Sequence, residues 1–79
     1  MEQAPSPRPF ESPWLDDQFV ESYGRWREES GTVRQAYERW LSAERQDRTP
    51  AWDAYQVALD REEHAARAHQ ACAARIAAR

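Results

Sequence analysis

Aromatic side chains recur along the middle of the chain in three pairs, and the two members of each pair stand three residues apart. Residues three or four positions apart lie on the same side of an α-helix. The step from Thr49 to Pro50 separates the first two pairs from the third, in which tyrosine and tryptophan swap order. This pattern predicts two long helices that fold back on each other. The pairs are Tyr23 with Trp26, Tyr37 with Trp40, and Trp52 with Tyr55.

The first helix is predicted over residues 15–46, with a mainly apolar stripe along one side. The stripe advances by alternating steps of four and three residues, which is typical of a coiled-coil heptad. Ser12 is the predicted N-cap, and Pro13 takes the first helical position, where a missing N–H costs little. The stripe consists of Phe19, Tyr23, Trp26, Ser30, Val33, Tyr37 and Trp40.

The second helix is predicted over residues 50–78, because Thr49 is a favourable N-cap and Pro50 suits the first helical position. Folding the chain antiparallel about residue 48 sets large residues of the first stripe against small residues of the second, so that the helices can approach closely. We therefore predict an all-α antiparallel helical hairpin. The second stripe consists of Trp52, Tyr55, Leu59, Glu62, Ala66, His69, Ala73 and Ile76.

Local signals around Gly31 allow a second interpretation of the first helix. Gly31 is suited to closing one helix, and Thr32 with Gln35 fits the capping box that opens another, which would give a three-helix bundle. The apolar stripe nevertheless keeps its phase through this segment, since Trp26 and Val33 are seven residues apart. A glycine inside a helix costs only about 1 kcal/mol. The continuous helix, straight or kinked, is favoured over the three-helix alternative.

The 79 residues suffice for one small domain with a marginal core, because much of the 41% apolar fraction is alanine. A hairpin has no third element to cover its far side, so we predict a homodimer that forms a four-helix bundle. Residues 1–13 contain four prolines and predict an extended tail, and residues 14–79 form the helical domain. Dimerisation is expected to bury the apolar residues outside the stripes, namely Leu15, Val20, Leu41 and Val57.

The net charge of −3 argues against a nucleic-acid-binding surface. No apolar run approaches the length that spans a bilayer, so no membrane association is predicted. The single Cys72 cannot form an internal disulfide and suits a reducing compartment, which predicts a cytoplasmic protein. All eleven basic residues are arginine, which together with the many alanines is typical of a GC-rich, bacterial coding sequence.

Glu62 and His69 suggest an alternative function as a metal-binding or metal-dependent four-helix bundle. The Glu-x-x-His pair of di-iron bundles is missing, because Ala65 stands three residues after Glu62. We therefore predict no metal, no cofactor and no enzymatic activity, and expect Glu62 and His69 to hydrogen-bond to each other or to tyrosine hydroxyls. No base is predicted beside the serines on the helices, which are Ser22, Ser30 and Ser42.

A tryptophan near the turn of a helical hairpin resembles the WXG100 family of secreted proteins. Here Trp52 is followed by Asp53 and Ala54, so the W-x-G glycine is missing. The resemblance implies a further alternative, a secreted hairpin with a heterodimeric partner. A small DNA-associated regulator is another, but it would need a basic face, and the arginines of the first helix are interleaved with glutamates.

Together these observations favour a non-catalytic protein–protein interaction module, acting as an adaptor, a small regulator or an assembly subunit for an unidentified protein partner. The predicted partner surface consists of Arg34, Arg39 and Arg45 with the proline-rich tail. The predicted core or dimer interface consists of Phe19, Tyr23, Trp26, Val33, Tyr37, Trp40, Trp52, Tyr55, Leu59, Ala66 and Ile76.

Overall fold

A computed structural model describes residues 13–78 of the chain, with side chains from residue 16 onward. It contains two helices, α1 (Pro13–Ser42) and α2 (Arg48–Ala78), joined by a short 3-10 turn at Arg45–Asp47. The helices pack against each other, which confirms the predicted all-α helical hairpin. Pro13, assigned to the tail, is the first residue of α1. The rest of the predicted tail, including the Ser12 N-cap, lies outside the described residues.

The first helix runs through Gly31 without interruption, so the three-helix alternative is wrong. Thr32 does not act as an N-cap, because its hydroxyl donates to the carbonyl of Glu28 four residues earlier. Gly31 has no positive φ, and nothing lies within 4 Å of the position that a Cβ would occupy. Packing of the continuous stripe against α2 therefore outweighs the local helix-ending signals of this segment.

The turn begins earlier than predicted. α1 ends at Ser42 rather than at residue 46, and α2 begins at Arg48 rather than after Thr49. The 3-10 turn takes up the extra residues, since the Asp47 N–H donates to the Glu44 carbonyl at 2.8 Å. Pro50 is the third residue of α2, where a missing N–H is still tolerated because the first four N–H groups of a helix lack intrahelical acceptors.

Ring contacts across the turn define the register of the hairpin. Tyr37 contacts Tyr55, and Trp40 contacts Trp52, so both pairs are centred on residue 46. The prediction that the chain folds about residue 48 was therefore two residues too late. The shorter first helix explains the difference.

Small side chains occupy the centre of the contact between the helices. In the described part of the chain the fully buried residues are Ala36, Ala58, Ala65 and Cys72, each 2–4% exposed. The three in α2 are seven residues apart and form one line along the helix. Residues without bulk at the contact let two helices approach closely. The core line of α2 is thus one residue earlier than the predicted Leu59, Ala66 and Ala73.

The large aromatic side chains lie beside this line of small residues instead of between the helices. Tyr23, Tyr37 and Trp52 remain 44%, 42% and 40% exposed, so they do not belong to the core of the single chain, and their alternative assignment to a dimer interface stays a prediction. Close approach of the helices leaves no room for rings at the centre, which displaces them to the flank. The other predicted interface residues are partly buried, namely Phe19, Trp26, Val33, Trp40, Tyr55, Leu59, Ala66 and Ile76.

Replacing Gly31 by alanine should raise the free energy of unfolding by about 0.5–1 kcal/mol, because the helix gains propensity and the new methyl group meets nothing. Gly24→Ala is the matched variant and should give a similar gain. Urea denaturation followed by circular dichroism measures both. A helix end at Gly31 would instead make Gly31→Ala destabilising while Gly24→Ala still stabilises.

Trp40→Ala should lower the free energy of unfolding by about 3 kcal/mol, since Trp40 contacts Tyr37, Trp52 and Tyr55. The exposed Val57 provides the control, because Val57→Ala removes apolar surface that already faces solvent. Denaturant unfolding at a fixed protein concentration compares the two. Equal effects of the two substitutions would contradict a stabilising role for the Trp40 cluster.

Candidate functional site

One side of the hairpin carries two groups of aromatic rings, one near the turn and one toward the open end, here together called the aromatic face. Near the turn, the Trp40 indole stacks on Tyr55 at 5.9 Å with an interplanar angle of 6°, and it meets Trp52 at 4.7 Å. Tyr37 completes this group through contacts with Trp40 and Tyr55. The aromatic face consists of Phe19, Tyr23, Trp26, Tyr37, Trp40, Trp52, Tyr55 and His69.

Toward the open end of the hairpin, the aromatic face centres on the imidazole of His69. Phe19 and Tyr23 contact this ring at centroid distances of 4.7 Å and 5.6 Å. The Trp26 indole lies nearly parallel to it, at 5.8 Å and 13°. Three rings from α1 thus pack around one side chain of α2, which confirms the predicted proximity of Tyr23 and Trp26 to His69.

Ser22 is hydrogen-bonded to His69, with 2.9 Å between Oγ and Nδ1. The prediction that no base lies beside this serine was therefore wrong. The two residues are 47 positions apart in the chain, so local spacing in the sequence does not indicate their contact. The Ser22 hydroxyl also donates to the Phe19 carbonyl at 3.0 Å. A hydroxyl has one proton, so both contacts are satisfied when Nδ1–H of His69 donates to Ser22 Oγ. This arrangement holds the two helices in register, and the hydroxyl proton of Ser22 is donated to the Phe19 carbonyl.

Glu62 accepts a hydrogen bond from the Trp26 indole, with 2.8 Å between Nε1 and Oε2. Glu62 and His69, the two residues of the metal hypothesis, are thus each bonded to a polar group of α1, rather than to each other or to a tyrosine hydroxyl as predicted. Within the described residues, no three histidine, cysteine, aspartate or glutamate side chains are grouped closely enough to hold a metal ion. The two polar contacts cross between helices and fix their pairing.

The other side of the hairpin, here called the charged side, follows the opposite flank of the line of buried small residues. Arg61 of α2 forms an ion pair with Glu29 of α1 at 2.9 Å. This pair borders a groove of about 530 Å³, lined by Arg25, Glu28, Glu29, Asp60, Arg61, His64 and Ala65. The groove carries both signs of charge, so it has no single preferred ligand charge.

The predicted partner arginines do not share one side. Arg34, Arg39 and Arg45 are all exposed. Five helical residues separate Arg34 from Arg39, which places them about 140° apart around α1. Arg45 lies in the 3-10 turn and borders a groove of about 420 Å³, here called the turn groove, whose lining consists of Trp40, Arg45, Arg48, Thr49 and Trp52.

The exposed aliphatic residues also divide between the two sides. Leu41 stands four residues after Tyr37, which places it on the side of the aromatic face. Val57 is two residues from Tyr55 and from Leu59, about 200° away around α2, so it points away from that face. A partner on the aromatic face would therefore cover Leu41 but not Val57. The Leu15 side chain lies outside the described residues.

Comparison with known proteins finds no match to any family model, any curated protein or any solved structure. The WXG100 resemblance therefore has no support beyond the position of Trp52 near the turn. Among the described residues, neither helix contains an apolar stretch of sufficient length to cross a membrane.

Sequence patterns did not reveal two features of this site. The hydrogen bond between Ser22 and His69 depends on the register of the hairpin, which only the turn determines. The line of Ala58, Ala65 and Cys72 was present in the sequence as a heptad of small residues. Following small as well as large residues at heptad spacing would have found it.

Glu62→Leu should lower the free energy of unfolding by about 1–2 kcal/mol, because it removes the acceptor of the Trp26 indole N–H. Glu62→Gln retains an acceptor oxygen and should cost less. Denaturant unfolding measures the energies, and proton NMR follows the indole resonance of Trp26. An unchanged indole resonance in Glu62→Leu would show that this hydrogen bond does not form in solution.

Proposed function

We propose that this protein is a non-catalytic helical interaction module, acting as an adaptor, a small regulator or an assembly subunit, and that its aromatic face docks against another protein chain. The supporting observation is the contrast between core and surface. The fully buried residues of the described part are three alanines and a cysteine, while Tyr23, Tyr37 and Trp52 stay exposed. Tyrosine and tryptophan dominate the energetics of protein–protein interfaces.

The first partner to consider is a second copy of this chain, giving a homodimeric four-helix bundle. Burial of alanine side chains contributes little free energy, so an isolated hairpin of this composition has a weak core. Pairing two aromatic faces would bury the exposed rings of both copies, and Leu41 with them. The charged side would remain in contact with water.

The remaining assignments follow from composition and rest on the same proposal. We place the protein in the cytoplasm, since a chain with the single cysteine Cys72 has no internal disulfide and suits a reducing compartment. The net charge of −3 gives no attraction to nucleic acid or to anionic lipid.

Sedimentation equilibrium tests the proposal, with twice the chain mass expected for the purified protein. Leu41→Lys should weaken the dimer by about 2 kcal/mol or roughly 30-fold in dissociation constant, because it places a charge inside the buried face. Val57→Lys is the matched control, since Leu41 and Val57 are 63% and 57% exposed and only Leu41 lies on the aromatic side. A protein that is monomeric at millimolar concentration would contradict the homodimer, and equal effects of both variants would contradict the aromatic face as its interface.

A further inference from the structure

The turn groove combines two indoles with two guanidinium groups. It is lined by Trp40, Trp52, Arg45, Arg48 and Thr49, and no carboxylate contributes to its lining. Within the described residues, neither arginine forms an ion pair with a carboxylate. The groove therefore suits a segment that presents an apolar surface together with a carboxylate.

The chain itself contains a carboxylate at the other end of the hairpin. Asp16 lies in the first turn of α1. Asp16 is seven residues before Tyr23, which places it on the same side of α1 as the aromatic face. Arg48 likewise stands seven residues before Tyr55, on the aromatic side of α2. On the side of the aromatic face, Arg48 therefore stands at the turn end and Asp16 at the open end.

Asp16 cannot reach the turn groove of its own molecule. Residues 16–42 of α1 lie between them and span about 40 Å at 1.5 Å per residue. An acid at the open end can meet the arginines of the turn only in a second copy that runs in the opposite direction. A parallel pair would instead bring four guanidinium groups together at one end, which is repulsive.

We propose that two copies pair through their aromatic faces in antiparallel orientation, and that Asp16 of each copy binds Arg45 and Arg48 at the turn groove of the other. This inference rests on the proposed function, because it requires the aromatic face to be the interface. It adds the identity of the partner, the orientation of the pair and the residues that select that orientation. The two-fold axis makes the contact twice per dimer.

Charge reversal with rescue tests the contact. Asp16→Arg, and separately Arg45→Glu with Arg48→Glu, should each raise the dimer dissociation constant about tenfold at low salt. The protein carrying all three changes should return to within about threefold of the natural chain, because the charges have exchanged places. The effect of each reversal should shrink in 0.5 M NaCl, since partly exposed ion pairs are screened. Sedimentation equilibrium gives the constants, and circular dichroism checks the helix content of every variant.

Two control variants match these changes in charge. Asp17→Arg alters the same helix end as Asp16→Arg, but it lies about 100° away around α1 and should leave the dimer unchanged. Arg34→Glu with Arg39→Glu matches the double reversal in the turn, from positions outside the groove. Controls that weaken the dimer as much as the test variants, or a triple variant without rescue, would overturn the contact.

Spin labels report the orientation independently of charge. Gln46→Cys places one label in the turn, in a Cys72→Ala background whose dimer mass is checked first. The distance between labels should be about 40–45 Å in an antiparallel pair and under about 20 Å in a parallel one. A short distance in an intact dimer overturns this inference and leaves the proposed function standing. A natural chain that is monomeric at millimolar concentration overturns the homodimer and this inference together.

Discussion

The close approach of α1 and α2 along Ala36, Ala58, Ala65 and Cys72 decides where the larger side chains go. A small residue at every second turn of α2 brings the helices so close that no space is left for a ring between them. The aromatic residues must therefore leave the centre, and all of them fall on the same flank because their heptad positions follow the small residues by one or four places, which is about 100° or 40° around the helix in the same direction. The opposite flank receives Arg25, Glu28 and their neighbours. One line of small residues thus divides the molecule into an aromatic face and a charged side.

Polar contacts between the helices fix the register of the hairpin, which apolar packing alone does not. Alanine lines slide easily past each other, because successive layers of methyl groups are nearly identical. The hydrogen bonds from His69 to Ser22 and from Trp26 to Glu62 have only one register in which both form. A register error would leave two partly buried polar groups without partners, which costs about 1–3 kcal/mol for each. These bonds therefore contribute more to the uniqueness of the fold than to its total stability.

Much of the hairpin could be predicted from the sequence, because aromatic periodicity and the Thr49–Pro50 step indicate two helices and a reversal. The position of Trp40 against Trp52 and Tyr55 followed directly from that pattern. The identity of the core did not, since the predicted stripe of α2 passes through Ala66 and Ala73, whereas the buried residues are one position earlier. The periodicity identifies the side of the helix that faces its partner. It does not show which residues lie at the centre of the contact, because that depends on how closely the helices approach. The bond between Ser22 and His69 required the exact register, and this is set by a turn that begins four residues earlier than predicted.

An interface made mainly of aromatic rings favours binding but does not fix the orientation of the partner, because rings pack acceptably in many arrangements. Orientation must then come from groups whose interactions change sign when the partner is reversed. Charges at the two ends of such a face have this property, and they need not add much affinity to do so. In this protein Asp16 marks the open end, and Arg45 and Arg48 mark the turn. In the proposed dimer the rings and the charges therefore have separate roles, in that the rings favour association and the charges select its direction.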